Sequence, residues 1–253
     1  KLFVPDSEPW DIWLPYDADN TSTISHSAWQ NLLDTYLVTD SADGIYRFDY
    51  GGVTAADRER LQAYLDALAN LDPRAYPRTE QLAYWINLYN ALTVAVVLDH
   101  YPVNSIRKIY GGILNTGPWD EPLIQVAGVS LTLNDIEHRI LRPIWRDPRI
   151  HYAVNCASLG CPNLAAQAFT STNVEQLLEA GAYAFINNTR GVAFNNNRIT
   201  ASSIYNWYDT DFGKGTAGLL QHWLTYAGPL LAAQLEAFDG KIRYDYDWQL
   251  NEP

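Results

Sequence analysis

Two cysteines, Cys156 and Cys161, lie within the segment Asp147-Pro-Arg-Ile-His151-Tyr-Ala-Val-Asn-Cys156-Ala-Ser-Leu-Gly-Cys161-Pro162. A thiol attacks only as its thiolate, which an imidazole or a helix N-terminus beside it stabilises. His151 brings an imidazole into the same segment. On a strand, their odd separation would turn His151 and Cys156 to opposite faces, so the pairing requires the strand to end before Cys156. The C-x4-C spacing also permits a local disulfide or a redox pair, although it departs from the C-x-x-C of thiol redox proteins. Two Cys are too few for a disulfide framework or, unaided by His, a structural zinc site.

A second group of reactive side chains lies in Leu133-Asn-Asp-Ile-Glu137-His138-Arg-Ile-Leu141-Arg142. On an α-helix Glu137 and His138 point about 100° apart and reach different partners. His138 is a candidate general base, because an ordinary imidazole titrates near neutrality. A third group, Glu80, Asn87, Tyr89 and Asn90, is set in an otherwise apolar helix. Buried amides must find partners. These either tie the helix to loops or orient an imidazole and contact a ligand. His26, His100 and His222 show no ligand spacing, and no H-E-x-x-H, phosphate loop, G-x-S-x-G or EF-hand loop occurs. No metal and no cofactor is expected.

Helices must position these groups. Apolar spacing predicts them over Ser27–Leu37, Ala55–Leu71 with Thr54 as cap, Glu80–Asp99 with Thr79 as cap, and Asp135–Leu141 with Asn134 as cap. Four more are expected: Val174–Asn187 with Asn173 as cap, Ser203–Phe212, Ala217–Tyr226 and Leu230–Phe238. The helix from Glu80 is apolar nearly all round, which predicts burial at the centre. Strands are expected over Gly44–Tyr50, Leu123–Val126, Val129–Thr132, Ile150–Asn155 and Ile242–Trp248. Ala127-Gly128 and Asn195-Asn-Asn197 read as hairpin turns. The expected fold is α+β, one helix-rich domain over residues 1–253 around a small, mostly antiparallel sheet, with residues 1–25 as an extension packed on it.

Composition narrows the function. Net charge is −12, from 29 acids against 17 bases, so a nucleic-acid backbone and an anionic membrane surface would both be repelled. Nine Trp and seventeen Tyr suggest aromatic walls as well as an aromatic core. The run Ala91–Leu98 is too short to span a membrane, so no insertion is expected. The sequence holds no Met and starts at Lys1, as a chain does once a signal peptide is removed. A periplasmic or secreted location is expected.

The blocks Glu80–Ala91, Ile136–Arg142 and Asp147–Pro162, continuing through Ala182–Asn187 and Ser202–Gly213, resemble the DUF547 family. The likeness runs over roughly residues 30 to 250. The family is a domain of unknown function. Its bacterial members are often exported, and its plant members carry the domain beside coiled-coil segments. The resemblance implies a papain-like or transglutaminase-like arrangement of cysteine, histidine and acid. On this sequence that means Cys156 as thiol, His138 or His151 as imidazole, and Glu80 or Glu137 as acid. A cysteine-dependent hydrolase or acyl transferase is therefore expected, with amides of residues 157–160 stabilising the oxyanion. The alternatives are a non-catalytic domain binding a peptide or small molecule, which a Cys156–Cys161 disulfide would favour, and a thiol redox protein.

Overall fold

The computed structural model describes residues 5–110 and 116–253, so residues 1–4 of the N-terminal extension lie outside the described residues. The extension packs where it is described: Trp13 is buried edge-on against Trp85, ring centroids 5.1 Å apart.

The first helix, α1 (Ser27–Tyr36), buries Trp29, Leu32, Leu33 and Tyr36 along one stripe. It leads into β1 (Leu37–Val38), which pairs antiparallel with β2 (Arg47–Phe48). Helix α2 (Ala55–Ala69) starts as expected, with Thr54 Oγ1 accepting the Asp57 N–H at 3.1 Å. Helix α3 (Arg78–His100) begins before Thr79, with Pro77 at its N-cap and no side-chain cap. By length and composition α3 could cross a membrane, but 94% of its apolar window is covered by protein. It is the axis of the larger hydrophobic core.

Two amides anchor the chain around α3. Asn87 bonds both backbone groups of Phe169, donating to its carbonyl at 2.7 Å and accepting its N–H at 2.9 Å. Asn90 donates to the Ala153 carbonyl at 2.9 Å and accepts the Asn155 N–H at 2.8 Å. Replacing Asn90 by Ala strands two buried backbone groups, at about 1–3 kcal/mol each. We expect Asn90→Ala to lower unfolding stability by roughly 2–4 kcal/mol in urea titration.

The hairpin β3 (Ile124–Val126) and β4 (Val129–Leu131) turns at Ala127 and Gly128, with φ of 47° and 80°. Both values are positive, as a tight two-residue turn requires. The next helix is not α-helical at first: Asp135–Leu141 is a π-helix, continued by α4 (Arg142–Trp145). Asn134 does not cap it; Thr132 Oγ1 accepts the Asp135 N–H at 3.0 Å.

The expected strand Ile150–Asn155 is absent. A 3₁₀ helix, Pro148–Tyr152, takes its place. Pro148 fixes φ for a helical start, and Asp147 Oδ1 accepts the Arg149 N–H at 2.8 Å. His151 therefore sits on a helical turn, where strand alternation does not apply.

Helix α5 (Val174–Ile186) follows, without a cap from the Asn173 side chain. Strands β5 (Val192–Asn195) and β6 (Arg198–Ser202) join through Asn196 and Asn197, both left-handed at φ 47° and 56°. Helix α6 covers only Ile204–Trp207, well short of Phe212. After α7 (Gly215–Tyr226) and α8 (Pro229–Glu236), strand β7 (Lys241–Asp245) pairs parallel with β6. The architecture is helix-rich α+β, with its strands divided among small separate sheets. A second core gathers around Tyr152, Phe185, Tyr205, Phe212 and Trp223.

Candidate active site

The Cys segment is held from three sides. Asn90 bonds the backbone of Ala153 and Asn155. The Asn155 side chain accepts the Ala157 N–H at 2.8 Å and donates to the Pro162 carbonyl at 2.8 Å. The C-terminal residues close the far side: Leu159 N–H donates to Gln249 and Gly160 N–H to Asp247, each at 2.8 Å. A Cβ on Gly160 would lie 2.8 Å from the Asp247 carbonyl oxygen, so glycine is needed for this approach. Ala157 sits at φ 57°, a conformation that costs a non-glycine residue energy and is held here by these bonds.

Cys156 and Cys161 are joined by a disulfide. The Tyr246 hydroxyl lies 3.0 Å from Cys156 Sγ and 3.2 Å from Cys161 Sγ. Burial raises the Tyr246 phenol above its ordinary range, so it remains a proton donor. Of the amides expected to stabilise an oxyanion, Ala157, Leu159 and Gly160 already donate within the protein.

Both cysteines line a cavity of about 490 Å³. Its lining also includes Tyr89, Glu137, His138, His151, Tyr208 and Tyr246, with Trp119, Trp207 and Trp248 as aromatic walls. Thus Cys156, His138, His151, Glu137 and Tyr89 are brought together. Glu80, Asn87 and Asn90 are not in this lining. Glu80 Oε1 accepts the Ile24 N–H at 2.7 Å, and its charge acts on His26.

Glu137 and His138, adjacent in this π turn, both line the cavity. Such turns are frequent at functional sites. Glu137 Oε2 accepts from the Tyr89 hydroxyl at 3.1 Å. His138 Nε2 lies 3.9 Å from Glu137 Oε2, and His151 Nδ1 lies 3.8 Å from Glu137 Oε1.

Partners fix the protonation of these rings. Arg142 Nη1 lies 3.0 Å from His138 Nδ1. A guanidinium only donates, so Nδ1 accepts and the proton of neutral His138 sits on Nε2. Burial pushes His138 down to about 4; Glu137 opposes this and Arg142 adds to it. His138 is therefore neutral at pH 7 and presents an N–H rather than a charge.

His151 Nε2 is 2.7 Å from Asp211 Oδ2, a residue that the sequence reading did not single out. Burial acts to raise the Asp211 carboxyl, but hydrogen bonds from His151 and Arg142 overcome it and hold it well below the usual range. An ionised Asp211 accepts the Nε2–H, and the other ring nitrogen, Nδ1, is turned toward Glu137. Arg142 completes the support with hydrogen bonds of 2.7 and 3.1 Å to Asp211. Tyr208 stacks on His151, centroids 4.3 Å apart.

His138 shares its lowered pKa with His26, which burial also pushes down to about 4 against the opposing Glu80 charge. The unfolded chain protonates both near 6.5, so between pH 6.5 and 4 it binds more protons than the folded chain. Stability should therefore fall as pH drops through this window, by about 1 kcal/mol per pH unit for each ring. Urea midpoints from pH 7 to 4.5 would measure it, and the slope should flatten when either ring is replaced by Gln.

Residues 73–186 match the family described as Protein of unknown function, DUF547. That segment is similar to the DUF547 family. The match is narrower than the likeness read from the sequence and covers somewhat under half of the chain. No curated protein and no solved structure matches the chain. The matched segment contains both cysteines, Glu137, His138, Arg142 and His151. Asp211, Trp207, Tyr208, Tyr246 and Trp248 come from beyond it. Among the described residues, no group of three or more His, Cys, Asp and Glu side chains is placed to hold a metal ion.

Proposed function

We propose that the chain is a cysteine-dependent hydrolase or acyl transferase, with Cys156 as nucleophile, His151 as base and Asp211 as the group that orients the base. The observation that supports this most is the pairing of His151 Nε2 with Asp211 at 2.7 Å, in a cavity that His151 and Cys156 both line. A nucleophile served by a base that is itself oriented by a carboxylate is the recurring pattern of covalent acyl transfer.

In the reduced protein the Cys156 thiol passes its proton to His151 Nδ1. The thiolate sulfur then bonds to the acyl carbon. The carbon–leaving-group bond breaks, and the leaving group takes the proton from the imidazolium. Water or another acceptor next attacks the thioester carbon, with His151 taking its proton. The carbon–sulfur bond breaks and Cys156 is regenerated. The Nε2–H of neutral His138 supplies a donor for the oxyanion in place of the engaged amides. In the oxidised chain the disulfide withholds the nucleophile, so turnover requires a thiol reductant.

The disulfide also favours a second reading, a domain that binds a peptide or small molecule in the aromatic cavity without covalent chemistry. Treating the chain with p-nitrophenyl acetate before and after dithiothreitol separates the two. We expect an acetyl adduct on Cys156 by mass spectrometry only after reduction, and iodoacetamide labelling with a midpoint well below the ordinary thiol value of about 8.5. An ordinary midpoint and no adduct would support the binding module. A periplasmic or secreted location, where such a disulfide persists, is part of the proposal. The state of the two cysteines in alkylated whole-cell extracts would test it.

A further inference from the structure

Glu137 is only 5% exposed, yet its carboxylate lines the cavity. Oε2 has the Tyr89 hydroxyl. Among the described residues Oε1 accepts no hydrogen bond, and the closest imidazole nitrogen, His151 Nδ1, is 3.8 Å away. A carboxylate removed from water is stable only with donors or a positive charge beside it. The nearby guanidinium of Arg142 is directed at Asp211 and His138 instead. His138 is neutral, so it brings no compensating charge.

The surroundings favour a cation. Trp119, Trp207, Tyr208 and Tyr246 present aromatic surface to the same cavity, and aromatic faces attract positive charge. Trp248 illustrates this, with the Arg107 guanidinium 5.1 Å from its ring centroid. Glu137 and Asp120 outnumber Arg107 in the lining, and the chain carries a net −12. An anionic ligand would meet this field unfavourably.

We infer that the cavity takes a ligand bearing a primary ammonium group, which donates to Glu137 Oε1 while an apolar or aromatic body lies among the tryptophan rings. An N–H donor is specified because Oε1 is an unfilled acceptor, which a quaternary ammonium cannot satisfy. The inference deepens the proposed function by naming its substrate class. It rests on the cavity being the substrate site and not on the covalent step.

Binding to the full-length oxidised protein tests it without turnover, so failure of the acyl-transfer reading leaves the result intact. The probes are phenethylamine, 2-phenylethanol, 3-phenylpropionate and phenethyltrimethylammonium, titrated at pH 7 by calorimetry and tryptophan fluorescence. Phenethylamine should bind at least tenfold more tightly than the alcohol and the carboxylate, and more tightly than the quaternary analogue. Glu137→Gln should abolish that preference. Equal or tighter binding of the alcohol, the carboxylate or the quaternary ion would overturn the inference, as would an absence of binding by all four. An unchanged preference in a folded Glu137→Gln protein would do the same. If that variant does not fold, the wild-type series decides alone.

Discussion

Reduced protein carrying His151→Ala is expected to release p-nitrophenol from p-nitrophenyl acetate 10²- to 10⁴-fold more slowly than wild type, a loss of roughly 3–5 kcal/mol of barrier lowering. Of the two imidazoles described in the cavity lining, His151 is the one paired with a carboxylate. Its Nε2 is held by an ionised carboxylate, so Nδ1 is left to accept a proton. His138 cannot substitute, because its accepting nitrogen faces Arg142. Asp211→Asn should give a loss of similar order, since an amide can present its N–H to Nε2 and select the wrong tautomer. Single-turnover rates at saturating reductant measure both. A His151→Ala rate within threefold of wild type would remove His151 from the mechanism.

Arg142→Met should lower unfolding stability by about 3 kcal/mol, because breaking a buried charge pair leaves its partner uncompensated. Arg142 is 6% exposed and holds Asp211 twice and His138 once. The Asp211 side chain keeps some contact with water, which moderates the loss. Arg60 provides the contrast. It also pairs with an aspartate, Asp57, at 2.6 Å, but its side chain is 70% exposed. Arg60→Met should cost under about 1 kcal/mol. Urea denaturation of the two variants side by side tests whether burial, rather than ion pairing itself, sets the magnitude. Equal losses would refute that ranking. Arg142→Met should also let the Asp211 carboxyl rise toward its ordinary range, moving the acid limb of any pH–rate profile upward.

Local chemistry made parts of this fold legible. The Thr54 cap and the Ala127-Gly128 and Asn196-Asn197 turns follow from single residues whose preferences act within a few positions. The burial of α3 followed from its all-round apolar surface. The Ile150–Asn155 run misled because apolar content alone does not distinguish a strand from a short buried helix. Pro148 after Asp147 was the missed signal. The site was half legible. Cys156, His138, His151 and Glu137 stand in reactive-looking blocks, but Asp211 lies in a polar stretch 60 residues from His151. No periodicity connects residues at that distance. The π turn was equally hidden, since its backbone register follows from packing rather than from a residue type.

The closing contacts of the Cys loop come from residues some way downstream of it: Asp247 and Gln249 receive its amides, Asn251 N–H reaches the Ala157 carbonyl at 3.2 Å, and Tyr246 touches both sulfurs. Synthesis runs from the N-terminus, so a growing polypeptide has both cysteines and His151 long before these contacts can exist. Its thiols emerge unshielded, and any chemistry they perform at that stage is undirected. A polypeptide cut before Tyr246 would keep both cysteines and lose the contacts that order the loop around them. The loop's shape is thus set late, by residues well downstream of the cysteines they enclose.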